Sequence, residues 1–129
     1  MTGNNCLLDT CVIVDVFRKK YSGKKLDAFQ SVYVSSVTIG ELYFGAYRSS
    51  NPHEKFNEIS GFVQNCVVIT VDQITASIYG TIKNELKLKG KPIPENDIWI
   101  ASCAIQHKLP LYTFDLHFKE IDSISLINL

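Results

Sequence analysis

No apolar run in this 129-residue sequence approaches the roughly 20 residues that a membrane-spanning helix needs; the longest are Cys66 to Val71 and Ile98 to Ile105. No signal-peptide pattern precedes Cys6, so the expected location is the cytoplasm and no membrane is expected among its partners. Closely spaced cysteine pairs are also missing. Cys6, Cys11, Cys66 and Cys103 are scattered, which excludes a zinc ribbon or a paired redox motif, and they read as reduced core cysteines. Neither a Gly-rich phosphate loop nor a nucleophile elbow is present, so covalent catalysis has no support. Charge of one sign is not in excess either: 13 basic residues balance 13 acidic ones, which at first sight argues against a nucleic-acid partner. Internal repeats, low-complexity tracts and linkers are absent.

What is present is a composition close to that of a soluble globular chain, with 46% hydrophobic and 20% charged residues. A chain of this length needs one core and is expected to form one domain. The balanced charge is unevenly placed. Arg18, Lys19, Lys20, Lys24 and Lys25 form one basic cluster and Lys83, Lys87, Lys89 and Lys91 another, leaving room for local phosphate contacts from Arg18, Lys20, Lys83 or Lys87, with Arg48 a further candidate. Each cluster reads equally as a solvated helix end.

The apolar pattern alternates between strand and helix. Cys6 to Leu8 reads as a first strand, followed by helical spacing through Val12, Ile13, Val16 and Phe17. A short helix is expected over Lys24 to Gln30, a second strand at Val32 to Val34, and helices from about Ile39 to Tyr47 and after Pro52. Cys66 to Val71 is apolar on both faces, which predicts a strand inside a covered sheet. Ile74, Ile78, Ile82 and Leu86 then mark a helix, Gly90 to Pro94 a break, and Asn96 to Ile105 the most apolar helix. Leu111 to Phe114 reads as a fourth strand, and Ile124 to Ile127 as a fifth at an edge. Strands alternating with helices imply right-handed crossovers and a mainly parallel sheet, hence a three-layer α/β/α sandwich.

Four acids recur where a strand ends or a helix begins: Asp9, Glu41, Asp97 and Asp115. In an open parallel sheet, ligands bind beyond the carboxyl ends of the strands, where such residues converge. Carboxylates gathered there raise one another's pKa, a conflict that a divalent cation resolves. Oxygen donors favour magnesium, with manganese possible, and such an ion can activate water toward a phosphodiester. Each acid has a plainer reading beside this one. Thr38-Ile39-Gly40-Glu41 matches a capping box, Asp97 suits the helix dipole in a first turn, Asp9 can cap a helix, and Asp115 can hold an Asx turn. His107 reads as a helix C-terminal residue, His117 lies close enough to Asp115 to approach a substrate, and Trp99 suits a core or dimer-interface position.

LLDT at Leu7 to Thr10, TIGELYFGA at Thr38 to Ala46, NDIWIAS at Asn96 to Ser102 and TFDLHF at Thr113 to Phe118 together resemble the PIN-domain ribonucleases, specifically the VapC-type toxins of bacterial toxin–antitoxin pairs. The resemblance covers residues 1–129 as a single PIN-like domain. It implies a magnesium-dependent endoribonuclease with an RNA substrate, a cognate antitoxin that folds over the active-site groove, and a homodimer. It also implies that Asp9, Glu41, Asp97 and Asp115 form the acidic quartet, with Asp9 and Asp97 as direct metal ligands and Thr10 and Thr113 as hydroxyl residues that orient the acids. The competing expectation is a non-catalytic PIN-like module that binds RNA or protein. A phosphate-accepting Asp9 is a third, but Thr10 and Cys11 follow it where a second acid would be needed.

Overall fold

The computed structural model describes residues 4–19 and 22–127. Five parallel strands form one sheet in the order β3-β2-β1-β4-β5: β1 Asn5–Leu8, β2 Ser31–Ser35, β3 Val67–Ile69, β4 Leu111–Tyr112 and β5 Leu126–Ile127. Among the described residues the helices are α1 Thr10–Phe17, α2 Ser22–Leu26, α3 Ser36–Tyr47, α4 Pro52–Val63, α5 Gln73–Lys89 and α6 Glu95–Gln106, with a 3-10 turn at Leu116–Glu120. The expected α/β/α sandwich is the observed one. Successive residues of β1 point to opposite faces, and each face builds its own core. Cys6 and Leu8 pack with Val12 and Ile13 of α1, Leu42 of α3 and Ile59 of α4. Leu7 packs on the other side with Ile82 and Leu86 of α5 and with Ile98 and Ala101 of α6.

Two sequence expectations fail for physical reasons. The run from Cys66 to Val71 yields only three strand residues, and β3 lies at the outer edge with Val67 and Val68 46% and 43% exposed. Apolarity on both faces is therefore no guide to a central place here: β3 has one neighbour and incomplete helical cover. The second correction moves a helix start. α3 begins at Ser36, because Ser35 is its N-cap and accepts from the Thr38 N–H at 3.1 Å. Glu41 thus falls in the second turn, beyond reach of the helix's first amides, and the capping box expected at Thr38 to Glu41 does not form.

Other boundaries shift modestly. α2 stops at Leu26, short of Gln30, and β4 ends at Tyr112 instead of Phe114. α5 carries a capping box built from Asp72 and Thr75, and it ends at Gly90, whose φ of 67° is the left-handed conformation that favours glycine at a helix C-terminus. All four cysteines are free thiols. No helix among the described residues is long and apolar enough to cross a membrane.

Candidate active site

Strand order reverses direction between β1 and β4: β2 and β3 continue on one side of β1, and β4 and β5 lie on the other. Chain ends diverge at such a switch point and leave a crevice beyond the strands' carboxyl ends. Asp9, the residue after β1, stands at that crevice. It adopts an extended conformation and caps α1, accepting from the Thr10 N–H at 2.8 Å. Leu8 is in register with Tyr112 of β4, which brings Thr113 beside Asp9. The buried Thr113 hydroxyl donates to Asp9 Oδ2 at 2.7 Å and accepts from the Asp115 N–H at 2.9 Å.

β2, on the opposite flank of β1, delivers α3 to the same crevice. Thr10 of α1 donates its hydroxyl to Glu41 Oε1 at 2.6 Å and lies 3.2 Å from the Thr38 hydroxyl. Asn96 at the start of α6 donates to the second Glu41 oxygen at 3.3 Å. Asp97, one residue on, does not cap α6; its Oδ2 lies 2.6 Å from His117 Nε2. The other ring nitrogen of His117 is 2.8 Å from Asp115 Oδ1. Asp9, Glu41, Asp97 and Asp115 all line one open cleft of about 510 Å³. Asp9 and Asp115 also fulfil their plainer roles, since Asp115 accepts from the His117 N–H at 3.3 Å as an Asx-type cap. A helix cap and a cleft carboxylate are therefore compatible readings of one residue.

The electrostatics match this crowding. Burial pushes the Asp9 carboxyl above its ordinary range and the charge of Glu41 adds to the rise, while bonds from Thr113, Thr10 and Cys11 oppose it. Asp97 is raised chiefly by burial as well, with Asp9 and Glu41 contributing and His117 opposing. Cys11 lies 3.4 Å from Asp9 Oδ2; burial holds its thiol up at about 11, so it serves as a weak S–H donor and not as a thiolate.

The basic candidates separate. Arg18 lines the cleft. Lys83 lies on α5, bridged to Glu95 at 2.9 Å and set over the Tyr79 ring. Lys87 is exposed in the last turn of α5, Arg48 caps α3 beside the Phe44 ring, and Lys20 lies outside the described residues. Trp99 is half-buried and stacks on Tyr79, joining α6 to α5. His107 is the exposed C-cap at the far end of α6 from Asp97. Sequence reasoning missed Asn96 and Cys11 as contacts of the acids and Thr38 as a neighbour of the Thr10 hydroxyl, and it left the double engagement of His117 unseen. For Asn96 and Cys11 the signal was adjacency, each lying within two residues of a candidate acid; for Thr38 it was the S-x-x-T spacing that makes Ser35 the cap.

Four carboxylates gathered in one cleft at the switch point of a parallel sheet define the class. Residues 6–124 match the PIN domain model, and the chain belongs to the PIN-domain family. It is 33% identical over 114 residues to ribonuclease VapC2 of Haemophilus influenzae, covering 85% of this chain and 86% of the relative. It is 36% identical over 80 residues to the tRNA(fMet)-specific endonuclease VapC of Shigella flexneri, covering 62% and 61%. Among solved structures, VapBC2 from Rickettsia felis bound to a promoter DNA fragment superposes with a TM-score of 0.91 at 26% identity, covering 97% of this chain and 98% of that one.

Proposed function

We propose that this protein is the toxin of a toxin–antitoxin pair, an endoribonuclease that acts in the cytoplasm and hydrolyses RNA phosphodiester bonds with a bound divalent ion, Mg2+ or Mn2+. The observation that carries this reading is the meeting of four carboxylates from four separate segments in one cleft, two of them raised by burial and by their neighbours' charge. A cluster of that kind is costly unless a cation offsets it. The donor set fits such an ion: Asp9 and Asp97 would hold it, with Glu41 and Asp115 completing the acidic wall. When bound, the ion supplies Lewis-acid polarisation and lowers the pKa of its water.

The chain's own residues do the positioning. Thr113 orients Asp9 and Thr10 orients Glu41, so that both carboxylates face the cleft before any substrate arrives. Glu41, held between Thr10 and Asn96, stands ready to accept a proton from an attacking water. Arg18 offers a cationic contact for the RNA backbone at the cleft mouth. A cognate antitoxin covering the cleft and a homodimer belong to the same proposal. Phe44 and Tyr47 on α3, 65% and 71% exposed, supply apolar surface for such partners.

The test is RNA cleavage by the purified chain, followed on denaturing gels. Cleavage is expected with Mg2+ or Mn2+, stops with chelator and returns when metal is restored. RNA binding that persists in chelator, with no cleavage of any RNA under either metal, would point to the binding module instead.

A further inference from the structure

His117 stands on the 3-10 turn after β4, and both of its ring nitrogens reach carboxylates. Nδ1 lies 2.8 Å from Asp115 Oδ1, and the His117 backbone N–H donates to the same oxygen at 3.3 Å. Asp115 therefore grips the residue at two points and fixes the ring's orientation. An Nδ1–H held by a carboxylate leaves the Nε2 lone pair directed at Asp97 Oδ2, 2.6 Å away. Two lone-pair atoms that close need a cation between them, either a proton or a metal ion that takes its place.

The spacing of the group suits the second. One ligand atom from each of Asp97, Asp115 and His117 lies within 4.8 Å of the other two. Adjacent ligands of a small octahedral cation, each bound at about 2.1 Å, lie roughly 3 Å apart, so a slight opening of the 2.6 Å contact would let one ion engage Nε2 and the Asp97 carboxylate together. A ligating histidine characteristically donates its other ring N–H to a carboxylate, the part that Asp115 already plays.

Resting on the metal reading above, the geometry points to His117 as a nitrogen ligand of the divalent ion, with Asp115 as the outer carboxylate that sets its tautomer, giving a centre that prefers Mn2+ to Mg2+. The quartet then divides its work. Asp9 and Asp97 supply oxygen to the ion, while Asp115 acts through His117. An imidazole donor suits transition metals, whereas Mg2+ favours oxygen and water, so one nitrogen in the shell shifts selectivity without changing the fold.

The test uses the full chain and metal alone. MnCl2 is titrated in and followed by electron paramagnetic resonance, with MgCl2 as competitor, and pulsed measurements read nitrogen coupling to the bound Mn2+. Coupling from a directly bound imidazole is expected in the wild type, changing its pattern when the histidines carry 15N and disappearing in His117→Gln. In that variant the preference for Mn2+ over Mg2+ is expected to fall roughly tenfold or more. The isotope experiment needs no variant, so it decides the matter even if His117→Gln folds poorly. Mn2+ bound to the wild type without nitrogen coupling overturns the assignment of His117 while leaving the metal reading in place. Failure of Mn2+ and Mg2+ to bind at all overturns that reading and this inference with it.

Discussion

The two halves of the acid cleft are held by different chemistry. On one side Asp9 and Glu41 are fixed by the hydroxyls of Thr113 and Thr10; on the other, Asp97 and Asp115 share the ring of His117. Hydroxyls orient a carboxylate and partly satisfy it, but they bring no charge, so the buried Asp9 is left with a raised pKa and a demand for a cation. His117 opposes the rise that burial gives Asp97 without cancelling it, and an imidazole nitrogen can also ligate a metal, so the His117 side answers that demand in part. On the proposed reading, the threonine-held half is a template for the ion and the histidine-held half is where one cation replaces another.

The largest effect that tests this contrast is neutralisation of a carboxylate on each side. Loss of a residue behind a metal ligand commonly costs 10- to 100-fold, so loss of a proposed ligand in Asp9→Asn or Asp97→Asn should lower RNA cleavage by about 10²-fold or more. Thermal melting of Asp9→Asn should show no loss of stability, because the ionised carboxylate it removes is buried and disfavoured. Full activity in both variants would break the assignment.

Removing the hydroxyls sharpens the comparison within the threonine-held half. Thr113→Val removes the buried 2.7 Å donor to Asp9 and leaves the part-buried Asp115 N–H without its acceptor. It should destabilise the fold by about 1–3 kcal/mol and lower activity by roughly 10- to 100-fold. Thr10→Val breaks a half-buried contact to Glu41, so its stability cost should be about 1 kcal/mol or less while activity still falls. Equal melting temperatures for the two variants would show that burial of Thr113 matters less than its geometry suggests.

A smaller effect concerns pH. The folded pKa of Asp9 lies above its ordinary value of 3.8, chiefly through burial. Between those two values the folded state holds a proton that the unfolded chain has released, so the Asp9 contribution to stability is present at low pH and is lost as pH rises through the folded pKa. In chelator, the melting temperature of Asp9→Asn relative to wild type should therefore climb as pH is raised from about 4 toward neutral. Mg2+ or Mn2+ should produce the converse trend in the wild type, with a stabilisation that grows with pH. A difference between wild type and variant that stays flat with pH would remove buried charge from the account of the threonine-held half.

Much of this was legible in the sequence, and the exceptions have physical causes. Alternating strand and helix patterns lead to the parallel sandwich, and Asp9 and Asp115 could be placed at its edge because each comes soon after a strand, Asp9 directly after β1 and Asp115 three residues past the end of β4. The edge position of β3 was hidden because Val67 and Val68 look like interior residues, and the sequence does not record how far neighbouring helices reach. Glu41 was ambiguous for want of one residue: with Thr38 as cap it is a capping glutamate, and with Ser35 as cap it is free for Thr10 and Asn96. The bridging role of His117 depends on a contact between the 3-10 turn and the start of α6, twenty residues apart, and no local pattern encodes it.

The smallest effect asks from which half the RNA backbone enters. Arg18 follows α1 and lines the cleft beside Asp9 and Glu41, whereas Lys83 stands on α5 and is already paired with Glu95 at the start of α6, on the side of Asp97. A cation engaged by a carboxylate has less to offer a phosphate than one facing an open cleft, and each lost phosphate contact weakens RNA binding and reduces its salt dependence by about one ion. Arg18→Ala should therefore raise KM for RNA several-fold and flatten its response to salt, with kcat little changed. Lys83→Ala should alter KM by less than about twofold, because the exposed ion pair it breaks is worth little. The reverse ranking, measured at two salt concentrations, would place the entry path of the RNA along the histidine-held half.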